Sequence, residues 1–124
     1  MKRVLIVDDA TTVRMYHRQI LEAAGYAVAE AANGIEGLEK ALVDTFDLFV
    51  IDVNMPRMDG YSLLAALRED ARSSATPAMI ITTEALERHR ERAAQTGANL
   101  CLLKPVDATE LVVYADMLTG GASA

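Results

Sequence analysis

The chain has 124 residues, enough for one domain with a real core and too few for two. A hydrophobic fraction of 52% and a charged fraction of 24% are those of an ordinary globular protein, and twelve Lys and Arg against eighteen Asp and Glu leave a net charge of −6. That sign argues against broad binding to nucleic-acid phosphates, the single cysteine excludes an internal disulfide, and no apolar stretch approaches the length of a membrane span.

In chain order, the opening "MKRVLIVDD" is basic and then apolar, but its apolar run is only four residues long before two aspartates. An export segment is not expected, and a cytoplasmic location is. "VLIV" at 4–7 reads as a strand. Val13, Ile20, Leu21 and Ala24 then form a helical stripe, with Gly25 as its stop. "AVAEA" at 27–31 is a weaker strand carrying Glu30, placed at a sheet edge. Ile35, Leu38 and Leu42 make a second helical stripe. "LFVI" at 48–51 is a continuous apolar run, followed by the turn "MPRMDG" and a third stripe of Leu63, Leu64 and Leu67. Asp59 and Gly60 read as a helix cap and turn. After the polar loop "EDARSSATP" come the strand "AMII" at 78–81 and a weakly apolar helix over 85–96. The strand "LCLL" at 100–103 precedes a last helix holding Leu111, Val112, Tyr114, Ala115 and Leu118. The predicted domain is 1–119, and the tail 120–124 is expected to fray.

Four of the five strands are continuous apolar runs, as strands buried on both faces should be. Strand and helix alternate five times, which predicts an α/β fold: a doubly wound parallel sheet with helices on both faces and right-handed crossovers. In such sheets ligands bind beyond the carboxyl ends of the strands. There the chain places Asp8 and Asp9 after the first strand, Asp52 at the end of the third, Thr82 and Thr83 after the fourth, and Lys104 with Pro105 after the fifth. The second strand ends near Asn33 and Gly34, with nothing reactive.

Three carboxylates meeting at one sheet edge cannot sit uncompensated. Two unit charges about 5 Å apart at an effective dielectric of about 20 repel by roughly 3 kcal/mol. With Lys104 the formal charge is −2, which one divalent cation would neutralise. The donors are hard oxygens with no His or Cys close by in sequence, which favours Mg²⁺ over zinc. A carboxylate beside Mg²⁺ and an ammonium is equipped to attack phosphorus, and Asp52, alone at the end of a central strand, is the best candidate for the acyl phosphate.

"VLIVDD", "VIDVNMPRMDG", "IITTEA" and "LLKP" together resemble the four blocks of a bacterial response-regulator receiver domain, of the single-domain chemotaxis type. The resemblance covers nearly the whole chain and implies a (βα)5 flavodoxin-like fold with strand order 2-1-3-4-5. By it, Asp52 is the phosphoacceptor, charged by a sensor histidine kinase. Asp9 and Asp52 are direct Mg²⁺ ligands, Asp8 holds the metal through water, and the Asn54 backbone carbonyl is a further ligand. Lys104 pairs with the phosphoryl group, its bond to Pro105 being often cis, and the Thr82 hydroxyl closes on that group. Asn54 and Glu84 form the pair that tunes self-hydrolysis. The fourth helix, fifth strand and fifth helix would meet protein partners such as a flagellar motor switch component.

One departure stands out. The family usually has Tyr or Phe three residues before the lysine, where this chain has Cys101, and often Phe after Lys-Pro, where it has Val106. A thiol is too small to act as the usual aromatic rotor. A phosphate sink or relay intermediate therefore stands beside the motor regulator as an alternative. Two others are weaker: a haloacid-dehalogenase-type phosphatase, which would need a carboxylate where Asn54 stands, and a scaffolding pseudo-receiver, which would be expected to have lost an acidic or lysine position. Cys101 is expected to be a small core residue, and Met55 and Met58 to pack over the site. His17 is expected to be exposed, and His89 solvated within "ERHRER", where Arg88, Arg90 and Arg92 make a locally basic face.

Overall fold

The computed structural model describes residues 1–122. Five strands, β1 (Arg3–Val7), β2 (Ala27–Ala31), β3 (Leu48–Asp52), β4 (Ala78–Thr82) and β5 (Leu100–Leu103), alternate with five helices, α1 (Thr11–Ala23), α2 (Gly34–Val43), α3 (Gly60–Glu69), α4 (Arg90–Thr96) and α5 (Ala108–Thr119). A 3₁₀ turn at Leu86–Arg88 precedes α4. The strands form one parallel sheet in the order β2-β1-β3-β4-β5, so β2 lies at an edge, as its weaker apolar pattern predicts. The register runs Leu5 to Phe49, Ile51 to Ile80 and Ile80 to Cys101 across the middle of the sheet.

Side chains alternate between the two faces of a strand, and the core divides accordingly. Leu5, Val7, Phe49, Ile51 and Ile80 pack with Ala41 of α2, Leu63, Leu64 and Leu67 of α3, and Ala93 of α4. Val4, Ile6, Leu48, Val50 and Ile81 pack on the other face with Leu21 of α1 and with Leu111 and Ala115 of α5. Every residue of β3 and β4 is buried, which is why their sequences read as unbroken apolar runs.

The second helix seats itself differently from its expected stripe. Leu38 of that stripe packs against the core, but Leu42 is exposed, and the fully buried positions of α2 are Gly34, Gly37 and Ala41. Here the helix sits so close to the sheet that only small residues fit. A methyl group on Gly37 would lie 2.9 Å from a Val7 methyl. Two helix ends follow their expected signals: Asp59 accepts a hydrogen bond from the Ser62 backbone N–H as the N-cap of α3, and Gly25, just past α1, has φ +100°. Asn33 caps α2 in the same way, accepting from the Glu36 backbone N–H.

Of the expected tail, 123–124 lie outside the described residues. Gly120 caps α5 in the left-handed region, and Ala122 packs against the α1/α5 core.

Candidate functional site

Four parallel strands end along one rim of the sheet, and each delivers chemistry there. Asp8 follows β1 and is 3% exposed; its N–H continues the ladder onto the Ala31 carbonyl. Its carboxylate is held from two sides: Oδ1 accepts from the Ala10 N–H at 2.9 Å, and Oδ2 from Lys104 Nζ at 2.7 Å. Asp52 closes β3 and is 6% exposed; its Oδ1 accepts from the same ammonium at 2.9 Å. Asp9 sits beside them in solvent, and Asp8, Asp9 and Asp52 each offer a carboxylate oxygen within 4.8 Å of the others. Lys104 is positioned by its own N–H, which donates to the Thr82 carbonyl at 2.7 Å, and the Lys104–Pro105 peptide is cis.

Close approach of the α3 start shapes the pocket from beneath. The Gly60 N–H donates to the Val53 carbonyl at 2.9 Å, and a methyl group on Gly60 would fall 2.3 Å from the Asp52 carbonyl oxygen. Between them the loop 53–59 turns outward, leaving Asn54 exposed and placing Met55 and Met58 against the α2/α3 core. Met58 covers the start of α2 at Gly34.

The electrostatics follow from crowding. Burial, offset in part by the Lys104 hydrogen bond and reinforced by the neighbouring Asp8 and Asp9 charges, pushes the Asp52 carboxyl up to about 6. Burial disfavours the Lys104 ammonium, but the Asp8 and Asp52 carboxylates outweigh it and hold its pKa above the ordinary lysine range. A dication among the three aspartates would restore the missing positive charge. The donor set consists of carboxylate oxygens only, which suits Mg²⁺.

Thr82 is fully buried, and its Oγ1 accepts from the Glu84 N–H at 3.0 Å. Glu84 leads to a group that the sequence did not suggest. His89 is not a solvated member of a charged face. Its side chain is 12% exposed, its Nε2 meets Glu84 Oε1 at 2.8 Å, and its Nδ1 meets the buried Tyr61 hydroxyl at 2.6 Å. His17 also departs from expectation. It is buried, 2% exposed, between α1 and the site, and its Nδ1 has no hydrogen-bond partner among the described residues. In both cases the partners or the covering atoms come from other elements, so hydropathy along the helix carries no sign of them. Cys101 is half-buried and packs at the margin of the α3/α4 core, as a small core residue should.

The family model for the response regulator receiver domain matches residues 4–116. The chain belongs to the response-regulator receiver family. It is 38% identical over 115 residues to the sensor protein EvgS of Escherichia coli K12, an alignment covering 93% of this chain and 9% of EvgS. Among solved structures it is similar to the chemotaxis protein CheY4 of Vibrio cholerae, at 35% identity and a TM-score of 0.90, covering 95% of this receiver and 98% of that one. It is also similar to the receiver domain of the sensor histidine kinase PA1611 from Pseudomonas aeruginosa PAO1, at 28% identity and a TM-score of 0.89, covering 97% and 98%. The PA1611 structure holds a magnesium ion in its active-site cleft. The receiver is thus a phosphorylation-accepting domain of two-component signalling, and the flavodoxin-like fold with order 2-1-3-4-5 is the one found.

Proposed function

We propose that this receiver, as the unit 1–119, is a cytoplasmic signalling switch that takes a phosphoryl group on Asp52 from a sensor histidine kinase and signals by binding a protein, in chemotaxis or motility. The observation that carries the reading is the Lys104 ammonium bridging the carboxylates of Asp8 and Asp52, with Asp9 close by. Asp9 and Asp52 would hold Mg²⁺ directly, Asp8 through water, and the Asn54 backbone carbonyl would complete the protein's share. When bound, the cation supplies positive charge for the oxygens of the transferring phosphoryl group.

The chain's own groups do the rest. An Asp52 oxygen attacks phosphorus, the bond from phosphorus to the donor imidazole breaks, and the electron pair leaves with the imidazole. Lys104, pinned by two carboxylates, is aimed at the charge that develops. Thr82, whose hydroxyl proton is free while its oxygen accepts from Glu84, has a donor to give to the product.

The output surface is the groove between α4 and α5 over the edge strand β5, a recess of about 530 Å³ lined by Leu86, Arg90, Ala94, Cys101, Leu103 and Tyr114 among others. Leu103 is 47% exposed there. Similarity to CheY4 supports a chemotaxis target on this face. A second reading, phosphate sink or relay intermediate, is favoured by Cys101 in the place of the aromatic rotor and by the match to a segment of the sensor protein EvgS. A phosphorylation-dependent pull-down of a motor component separates the two.

Intact mass after treatment with acetyl phosphate and Mg²⁺ tests the chemistry. The wild-type chain should gain one labile phosphoryl group, dependent on Mg²⁺, and Asp52→Asn should gain none. A gain that persists in the variant would move the acceptor elsewhere.

A further inference from the structure

Glu84 is held by a chain of side chains reaching across three segments. The Tyr61 ring, 4% exposed in the first turn of α3, lies nearly parallel to the His89 imidazole, the planes 12° apart. The Arg92 guanidinium of α4 sits 4.2 Å from the centre of the Tyr61 ring, a cation–π contact that fixes its other side. His89 itself forms the junction between the 3₁₀ turn and α4, so its ring direction is set where that helix begins.

The proton positions along this chain follow from its ends. First the His89 hydrogen bond, then the nearby Asn54 amide, hold the Glu84 carboxyl below the ordinary range, so at neutral pH it is a carboxylate and only accepts. Burial holds the Tyr61 phenol above its ordinary range, so it keeps its proton. With the imidazole proton on Nε2, that nitrogen donates to Glu84 and Nδ1 accepts from the Tyr61 hydroxyl. The result is a directional relay with both imidazole nitrogens used, anchored on a buried tyrosine. Its free end is a carboxylate beside Asn54, two residues beyond Asp52, and joined through its own N–H to Thr82.

We propose that His89, with Tyr61 behind it, is a positioning residue for loss of the phosphoryl group from Asp52: it holds Glu84 in place at the mouth of the pocket. The proposal rests on Asp52 being the acceptor. In the hydrolytic step a water oxygen attacks phosphorus, the bond from phosphorus to the Asp52 oxygen breaks, and Asp52 regains its carboxylate. Inorganic phosphate leaves, and one proton passes to solvent. The attacking water must lie opposite the leaving Asp52 oxygen, and Glu84, tied to Thr82 through its own N–H and beside the Asn54 amide, is the carboxylate assigned to orient it. A carboxylate held in one orientation orients that water; a carboxylate free to swing spends most of its time elsewhere.

The test measures decay of the acyl phosphate. The chain is charged with acetyl phosphate and Mg²⁺, excess donor is removed rapidly, and the phosphorylated fraction is followed by intact mass. His89→Ala should lengthen the lifetime about 3- to 10-fold. Tyr61→Phe should lengthen it about 2-fold, and His89→Gln, which keeps an N–H for Glu84, should recover most of the wild-type rate. In a Glu84→Ala background, adding His89→Ala should change nothing further, because the relay then holds no carboxylate. A general loosening of the fold would act in both backgrounds, so the double variant separates positioning from structure. A lifetime unchanged or shortened in His89→Ala, or an effect undiminished without Glu84, overturns the proposal. Failure of the wild-type chain to take up any phosphoryl group would overturn the assignment of Asp52 itself, and the inference with it. A wild-type chain that is charged and responds to Glu84→Ala but not to His89→Ala overturns the inference alone.

Discussion

At His17 an imidazole is enclosed with one ring nitrogen unsatisfied, and burial, with the Lys104 charge acting in the same sense and Asp8 opposing, lowers its pKa from the ordinary 6.5. The consequence for stability has a definite sign. Below pH 6.5 the unfolded chain takes up a proton at this histidine more readily than the folded one does. The stability associated with His17 is therefore complete above 6.5 and is lost as the pH falls below it. His17→Leu removes both the unpaired nitrogen and the titration. It should stabilise the protein by about 1–2 kcal/mol at pH 7 in urea unfolding, and more at pH 5.5. A variant less stable than wild type at both pH values would mean that the nitrogen has a partner in solution. His89, less deeply enclosed, has both ring nitrogens engaged.

Among the elements, α3 makes the closest approach to the site. Gly60 lets its first turn abut the end of β3, so the Asp52 backbone and the helix start are in contact. Gly60→Ala must push the two apart. It should cost about 1–3 kcal/mol of stability, read by urea unfolding, and slow uptake of phosphate from acetyl phosphate by displacing Asp52. A variant of wild-type stability and rate would show that the turn yields freely. Here the limits of reading a sequence become physical. The ends of β1, β3, β4 and β5 were legible because continuous apolar runs stop abruptly at polar residues, and the site is made of those stops. The buried face of α2 was not, because glycine and alanine carry no hydropathic signal and are chosen for the space they leave. The Tyr61–His89–Glu84 chain was illegible for a different reason. Tyr61 and His89 lie 28 residues apart, and only the fold brings a tyrosine of one helix to the start of the next.

Across the whole molecule, the acidic rim stores a cost that the fold accepts for the sake of the site. Asp52 titrates at about 6 rather than at 3.8, so the folded state holds its proton more tightly than the unfolded state between those values. Stability without metal therefore falls as the pH rises through that window, by an amount on the order of 3 kcal/mol for a gap of about two pH units. In metal-free buffer at pH 7, Asp52→Asn should raise stability by about 1–3 kcal/mol, and the advantage should shrink as the pH falls and vanish below about pH 3, where the wild-type carboxyl is protonated in both states. Adding Mg²⁺ should stabilise the wild-type chain and leave the variant far less changed, since a ligand that binds only the folded state raises its stability by mass action. Equal responses of the two chains to Mg²⁺ would place the cation away from Asp52.

The alternation along β3 also constrains how such a chain can change over time. Ile51 and Val53 belong to the α2/α3 side of the sheet, while Val50 belongs to the α1/α5 side, whose parity Asp52 shares. Deleting one residue within the strand would present an aliphatic chain where Asp52 stands and drive a carboxylate into hydrocarbon. Length changes are thus excluded from within β3 and fall to the connections, which can lengthen or shorten without altering which side chain arrives at the reactive end.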